Sequence, residues 1–420
     1  MPKHHNPSSP AVAIVGLGAV TPVGRSASET WSALASGRSG IGPITRFDPS
    51  PFPVRIAGEV KNFDPRVCLS AKEAGRLDRF VHYAAAAADE ALRESLIRLT
   101  PRLARRTAVV IGSSRGGIGT WEENVSGLLS RGFKGVSPFA APMSLVNMAA
   151  GFIALKHGIT GPTLAVSTAC ASGAHSVGEA ARMIRDGIVD VAIAGGAEAP
   201  IVPSMLAAFA AARALSRRND DPESASRPFD RTRDGFVLSE GAGIVVLESA
   251  DHARRRGAKP LAFVAGYGAT NDAYHYTRPA PGGTGAAAAI RSALADAGAS
   301  PREVDCVIAH GTSSRENDRM ETAAIKSVLG RRARKVPVVS LKSITGHLLG
   351  ASSAVEAVAA AMIIRQGLIP PTINLRNPDP ECDLDYTSEG PRRAGVRTIL
   401  TNAFGFGGVN ACLVIREQPE

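Results

Sequence analysis

The chain has 420 residues, of which 44% are hydrophobic and 5% aromatic, and its net charge is +10. This length allows two or three domains, or one large α/β body, around a sizeable core. The densest basic cluster, residues 331–335, contains no aromatic residue, which argues against nucleic-acid binding. The positive net charge is instead compatible with an acidic protein partner.

The amino-terminal segment and the cysteines predict the compartment. Residues 1–10 are polar and lack the apolar core of a signal peptide, and no apolar run approaches the ~18 residues of a membrane span. The five cysteines are scattered without a CxxC pair, which argues for a reducing compartment and against a zinc site. We therefore expect a cytoplasmic protein without a metal, with a disordered tail at residues 1–10 and a short tail at 417–420.

Strands that end in glycine turns alternate with helices in the first half of the chain. Residues 11–18 form the first strand, but the turn after it lacks the third glycine of the dinucleotide fingerprint, so a Rossmann site is disfavoured. In chain order we then expect a short helix at 30–35, an irregular segment at 42–65, a helix at 72–99, a strand at 108–112, a helix at 144–156, and strands at 189–196 and 243–247 followed by a helix at 251–257.

Cys170 lies between an apolar run that starts at Leu164 and a helical pattern that stops at Gly187. This places the cysteine at a strand-to-helix turn, where free backbone N–H groups and the helix dipole favour a thiolate. The neighbouring residues are small, which leaves room for a substrate to approach the sulfur. A buried cysteine that fills a small gap is the alternative interpretation of this stretch.

The second half repeats the features of the first in the same order. Residues 262–269 resemble 12–19, and residues 308–315 resemble 110–115. Residues 338–366 repeat the Cys170 strand, turn and helix, and 398–408 repeat the glycine-rich strand end at 195–196. We therefore predict two similar βα halves, 11–258 and 259–416, that share one core and gather ligand sites at the carboxyl ends of their strands.

Two histidines follow predicted strands of the second half. His310 comes directly after the strand at 304–309, and His347 precedes an apolar helix at 348–364. Each alone is compatible with a structural histidine. Because the ends of parallel strands converge, both are expected near Cys170. A cysteine with two imidazoles suits acyl transfer with an enolate intermediate, whereas a Cys–His protease has no use for the second histidine.

The motifs around these residues resemble those of the β-ketoacyl-acyl carrier protein synthases, closest to the type II elongating enzymes. The resemblance covers residues 11–416 and rests on four segments: 167–173, 309–314, 342–347 and 402–408. It implies the thiolase fold, an α/β body with layers in the order α-β-α-β-α. It also implies a dimer that catalyses decarboxylative Claisen condensation without a cofactor of its own, since phosphopantetheine arrives on the acyl carrier protein.

The resemblance also implies roles for individual residues. Cys170 is the acyl-accepting nucleophile, His310 and His347 bind the malonyl thioester carbonyl, and Lys342 with Glu321 forms a supporting charged pair. The oxyanion hole corresponds to the backbone N–H groups of Cys170 and Phe406. The remaining roles are a gate at Phe406 between Gly405 and Gly407, a pantetheine channel at Thr312 and Ser314, and a carrier-protein surface at Lys72, Arg76, Lys134 and Arg213.

Some residues depart from the fatty-acid pattern. Gly75 and Gly135 stand where basic residues are common, so the carrier-protein surface is thinner. Arg115 stands where an apolar residue usually lines the acyl pocket. If it points into the pocket, a plain long chain is a poor substrate, because an unpaired buried cation costs several kcal/mol. The alternative is that Arg115 points to solvent or pairs with an acid.

Three hypotheses remain open from the sequence. Segments 314–322 and 378–386 resemble type II polyketide ketosynthases, whereas 405–410 is closer to the fatty-acid enzymes. The leading hypothesis is an elongating 3-oxoacyl-acyl carrier protein synthase. The second is a ketosynthase of a polyketide or polyene pathway, with a chain-length partner subunit. The third, a catalytically silent partner, is disfavoured because such subunits usually lack the cysteine.

Overall fold

A computed structural model of the protein describes residues 11–418. The predicted disordered tail at 1–10 lies outside these residues, as does the end of the predicted tail at 417–420. The strands are β1 Val12–Val20, β2 Gly42–Pro43, β3 Ile56–Ala57, β4 Thr107–Gly112, β5 Thr163–Val166, β6 Val191–Glu198, β7 Gly241–Ser249, β8 Ala262–Asn271, β9 Cys306–Ile308, β10 Val338–Val339, β11 Leu368–Ile369, β12 Arg392–Arg393, β13 Thr398–Gly405 and β14 Val409–Arg416.

The helices follow the strands in regular alternation through most of the chain. They are α1 Ala27–Ser36, α2 Ala71–Ala74, α3 Arg79–Ser95, α4 Pro101–Arg105, α5 Ile118–Arg131, α6 Ala140–Ser144, α7 Met148–His157, α8 Ser172–Arg185, α9 Pro203–Ala211, α10 Ala250–Arg255, α11 Thr284–Asp296, α12 Arg315–Leu329, α13 Lys342–Thr345 and α14 Ser352–Gln366. None of these helices is long and apolar enough to cross a membrane.

Ten strands form one hydrogen-bonded series in the order β10-β9-β13-β14-β8-β1-β7-β6-β4-β5. The two halves of this series mirror each other, because β8, β14, β13, β9 and β10 occupy the places that β1, β7, β6, β4 and β5 occupy on the other side. An antiparallel contact between β1 and β8 joins the halves. The predicted α/β fold of two similar halves is therefore confirmed.

The layers follow from the alternation of side chains along the central strands. In β1, Val12 and Ile14 belong to a central apolar cluster that contains α8 and α14, whereas Ala13 and Val15 face an outer cluster with α3 and α7. A third cluster packs α11 and α12 on the outer face of the second half. A strand that is covered on both faces has apolar residues at nearly every position. This explains why apolar and polar residues do not alternate along the central strands of this sequence.

The helix predicted over residues 72–99 is wrong as a single element. The chain forms α2, α3 and α4 there, because local capping interrupts the helix twice. The Asp78 side chain accepts a hydrogen bond from the Phe80 N–H and starts α3, and Leu96 ends it in the left-handed conformation at φ 55°. Sequence analysis also did not identify α5, α9, α11 and α12, whose helical patterns were not singled out.

Close packing of α3 on β1 depends on Gly18. A Cβ atom at this position would lie 1.9 Å from the Ala87 carbonyl oxygen in α3. The run of alanines at 84–88 has the same cause, because only small side chains allow this helix to approach the strand.

Gly18→Ala is expected to lower the free energy of unfolding by roughly 1–3 kcal/mol, because a backbone carbonyl cannot move aside cheaply. Gly395→Ala is the matched control, since a Cβ there meets no atom within 4 Å and its backbone is not left-handed. We expect the control to be neutral or to stabilise by a few tenths of a kcal/mol. Urea unfolding of both variants measures the difference, and equal stabilities would contradict the packing argument.

Candidate active site

Cys170, His310 and His347 line one cavity of about 450 Å³. Cys170 follows β5, His310 follows β9, and His347 lies beyond β10, so the cavity forms where the carboxyl ends of these strands meet. The structure thus brings together the three residues on which the sequence-based hypothesis depends. The His310 and His347 rings lie edge to face, with 5.4 Å between their centroids.

The turn that carries Cys170 is held in an unusual backbone conformation. Ala169 adopts a left-handed conformation at φ 50°, which costs roughly 1 kcal/mol for a residue with a side chain. Ser172 stabilises the turn, since its hydroxyl accepts a hydrogen bond from the Thr168 N–H at 2.9 Å and donates one to the Ala169 carbonyl at 2.6 Å. Helix α8 begins at Ser172, so Cys170 lies at its amino end as the sequence predicts.

The thiol of Cys170 is protonated at neutral pH. Burial raises its pKa to about 12, although the positive charges of Lys342 and Arg115 and its own backbone N–H oppose this shift. The sequence analysis expected the helix end to favour a thiolate, but the loss of solvation outweighs the stabilising groups. On this balance the cavity favours the protonated thiol over the thiolate.

Both histidines are neutral at physiological pH. Burial and the charge of Lys342 hold the pKa values of His310 and His347 well below the ordinary histidine value. The Nδ1 atom of His347 is hydrogen-bonded to the Ser352 hydroxyl at 2.9 Å. A neutral imidazole carries one N–H group, so each ring is able to donate a hydrogen bond to an oxygen in the cavity.

Lys342 pairs with Glu356 and not with Glu321, which corrects the charged pair expected from the sequence. The Lys342 ammonium contacts the Glu356 carboxylate, and both side chains are buried. Glu321 instead accepts hydrogen bonds from the backbone N–H groups of His310 and Gly311, each at 2.7 Å, and from the Asn402 amide at 3.0 Å. Its two oxygens are occupied by these donors, which hold the backbone of His310 and Gly311 in place.

Glu356, Ser352 and Asn402 were not identified from the sequence. Ser352 and Glu356 are four residues apart on α14, which places them on the same face of the helix behind His347. That spacing is a usable signal, since Glu356 is the one charged residue in the apolar stretch 354–364 of the helix. Burial raises the pKa of Glu356 to about 7, and the Lys342 charge lowers it.

The turn after β13 closes the other side of the cavity. Gly405 packs so tightly that a Cβ there would lie 2.8 Å from the Thr168 carbonyl oxygen and 3.2 Å from the Cys170 nitrogen. Phe406 is 42% exposed, and the next residue, Gly407, is left-handed and donates its N–H to the Tyr276 carbonyl at 2.8 Å. The backbone of Phe406 therefore lies beside the Cys170 turn, where the resemblance places the oxyanion hole.

The other predicted site residues divide into two groups. Thr312, Ser314, Arg115 and Arg213 line the cavity, and the hydroxyls of Thr312 and Ser314 are 3.0 Å apart. Lys72, Arg76 and Lys134 are exposed and do not line it. The Arg76 guanidinium stacks over the Phe139 ring at 4.4 Å. Within residues 11–418, no group of three His, Cys, Asp or Glu side chains is arranged to hold a metal ion.

Comparison with known proteins gives one consistent family. Models named beta-ketoacyl synthase, N-terminal domain and C-terminal domain, match residues 9–253 and 261–376. The chain is 48% identical over 406 residues to a 3-oxoacyl-[acyl-carrier-protein] synthase 2 from Synechocystis, covering 97% of this chain and 98% of the relative.

Two solved structures are similar over nearly the whole chain. The ishigamide ketosynthase/chain length factor superposes with a TM-score of 0.91 at 37% identity, covering 98% of this chain and 100% of that one. The second is a type II PKS acyl-carrier protein in complex with its ketosynthase bound to the hexaketide. It superposes with a TM-score of 0.89 at 34% identity, covering 98% of this chain and 100% of that one.

The rate at which iodoacetamide alkylates Cys170 is expected to rise about tenfold per pH unit between pH 7 and pH 9. The reason is that the thiolate fraction grows tenfold per unit at any pH below a pKa of about 12. Peptide mass spectrometry identifies the modified residue, and Cys170→Ala serves as the control. A rate that levels off near neutral pH would show that the helix end outweighs burial.

Proposed function

The chain belongs to the β-ketoacyl synthase family, and we propose that it condenses an acyl group held on Cys170 with a malonyl group delivered on an acyl carrier protein. It is an acyltransferase-type condensing enzyme. The observation that supports the assigned roles is the meeting of Cys170 with two neutral imidazoles in one cavity.

In the first step the Cys170 sulfur attacks the carbonyl carbon of the incoming acyl thioester. The new C–S bond gives a tetrahedral intermediate, which collapses as the bond to the pantetheine sulfur breaks, and the proton of the Cys170 thiol ends on that leaving sulfur. Because burial keeps the thiol protonated, the proton is available for this transfer. The N–H groups of Cys170 and Phe406 stabilise the negative oxygen of the tetrahedral intermediate.

In the second step the malonyl thioester loses its carboxyl group as carbon dioxide. The electron pair of the broken C–C bond moves into an enolate, whose oxygen accepts hydrogen bonds from His310 and His347. The enolate carbon then attacks the Cys170 thioester, and the sulfur leaves as a thiolate that takes up a proton from solvent. The product is two carbons longer. Neutral imidazoles suit this step, since they donate N–H bonds without protonating the enolate carbon.

The carrier protein is proposed to dock on a basic surface beside the cavity. Arg213 lines the cavity and is exposed, and Lys72, Arg76 and Lys134 are exposed cations on neighbouring segments. An acidic carrier protein would be attracted to such a surface. Thr312 and Ser314 are proposed to line the path of its phosphopantetheine arm. The enzyme then needs no resident cofactor. The predicted location in the cytoplasm stays a prediction.

A second chain is proposed to add to strand β5. The residues of β5 are exposed or half-buried, and Leu164 is 44% exposed. The opposite edge, β10, is covered, because the Val338 N–H donates to the Asp385 carbonyl at 2.7 Å. Strand β5 has no lysine, proline or bulge that would discourage pairing, so an uncovered edge of this kind favours association. We propose a homodimer through β5.

A polyketide ketosynthase with a chain-length partner subunit is the second candidate function. The similarity to the ishigamide ketosynthase/chain length factor favours it, and so does the polar residue Arg115 in the acyl cavity. In this case the second chain at β5 is a different protein. Co-purification from the native host separates the two candidates, because a homodimer purifies without such a subunit and a heterodimer does not.

Cys170→Ala is expected to lower the rate of condensation by at least about a thousandfold. Malonyl decarboxylation should persist, because the enolate step uses the histidines. Product formation and carbon dioxide release from malonyl carrier protein measure the two steps. Cys68→Ala is the control, because Cys68 lies outside the cavity and should leave condensation intact. Condensation retained by the Cys170 variant would remove the proposed role of this residue.

Leu164→Asp is expected to convert the dimer to a monomer, because it places a charge in the middle of the paired edge. Light scattering coupled to size-exclusion chromatography measures the mass. Leu96→Asp is the control, as Leu96 is also exposed, at 78%, but lies at the end of α3 away from β5. The proposed interface is wrong if both variants remain dimers.

A further inference from the structure

Arg115 lines the cavity that contains Cys170, and its side chain is exposed. Its guanidinium carbon is 5.9 Å from the centre of the Phe209 ring. Its charge also lowers the pKa of the Cys170 thiol, which places the cation within electrostatic range of the nucleophile. Arg115 therefore lines the cavity and also contacts solvent, which agrees in part with each of the two interpretations left open by the sequence.

No carboxylate within residues 11–418 forms an ion pair with Arg115. Glu198 is within electrostatic range, since the arginine lowers its pKa. However, one oxygen of Glu198 is used by Ser114, whose backbone N–H and hydroxyl donate to it, the latter at 2.6 Å. The other oxygen of Glu198 has no hydrogen-bond partner among the residues that the structure describes, and neither oxygen accepts a hydrogen bond from Arg115. The guanidinium of Arg115, a planar group with five N–H bonds, is therefore able to bind an oxygen acceptor.

The backbone on both sides of Arg115 is held by hydrogen bonds, whereas the Arg115 guanidinium donates none to the described residues 11–418. Ser114 is anchored to Glu198, and the Gly116 N–H donates to the Ser113 hydroxyl at 3.0 Å. The loop is therefore held at both sides of the arginine. An apolar chain that filled the cavity would remove water from the guanidinium and give it no partner, at a cost of several kcal/mol. A chain with an oxygen acceptor would replace that water.

We propose that Arg115 selects acyl chains that carry an oxygen acceptor, a carboxylate or a ketone, and that it discriminates against plain saturated chains of the same length. This inference rests on the proposed function, because the selected chain is the one transferred to Cys170. In that transfer the acyl carbon exchanges its pantetheine sulfur for the Cys170 sulfur, and the thiol proton passes to the released pantetheine. Arg115 contacts the chain and takes no part in the bond changes.

The test measures acylation of Cys170 by intact-protein mass spectrometry with matched pairs of acyl-pantetheine thioesters. Each pair has the same chain length, from butanoyl to dodecanoyl, with and without a terminal carboxylate. We expect the carboxylate chain to react at least about tenfold faster than the plain chain at the best length. Arg115→Leu should reverse the preference, and Arg115→Lys should keep part of it, since an ammonium retains the charge but not the planar pair of donors.

Arg102→Leu is the matched control, because Arg102 is exposed on α4 outside the cavity. It should keep the preference of the natural enzyme. Because each preference is a ratio within one preparation, partial unfolding lowers both rates and leaves the ratio unchanged. Equal rates for both chains at every length, or a ratio that Arg115→Leu does not change, would overturn the inference. If no thioester, including acetyl, modifies Cys170, the proposed function itself fails, and the inference fails with it.

Discussion

The site depends on one buried cation. Lys342 is enclosed by the protein and neutralised by Glu356, and its charge acts on all three reactive side chains. Burial holds the pKa values of His310 and His347 well below the ordinary histidine value, and the charge of Lys342 lowers them further, so that both rings stay neutral. At Cys170 the same charge opposes burial. A buried ion pair adds little to stability by itself. Here its cation adds to the effect of burial on the two histidines and opposes the effect of burial on the Cys170 thiol.

The fold brings these groups together through close contact between its two halves. Helices α8 and α14 start next to each other, because Gly173 lets the backbone of Ala354 and the carbonyl of Gly350 approach. A Cβ at Gly173 would lie 2.8 Å from both. Cys170 and His347 precede these helices, so the packing of the two helix ends sets how far the sulfur lies from the second imidazole. The mirrored strand order supplies the same geometry twice, once for the nucleophile and once for the histidines.

Much of this arrangement could be predicted from the sequence. Apolar runs followed by glycine turns indicated most of the central strands, and their repetition indicated two similar halves that gather Cys170, His310 and His347. What could not be predicted depends on contacts between distant segments. The partner of Lys342 lies on α14, and the protonation of Cys170 depends on burial that no local pattern reveals. The small residues after Cys170 were interpreted as space for a substrate, but Gly173 makes space for α14.

Selection of the acyl chain and assembly of the protein are connected by the position of β5. Strands β4 and β5 are parallel neighbours, and the segment after β4 carries Arg115 while the segment after β5 carries Cys170. A chain that adds to β5, as proposed, would therefore lie beside the strand that leads to Cys170 and one strand away from the strand that leads to Arg115. A second copy and a different subunit would present different side chains to the end of the acyl group. In the proposed assembly, Arg115 would select the chemistry of the acyl group near the nucleophile, and the added chain would cover the β5 edge beside it.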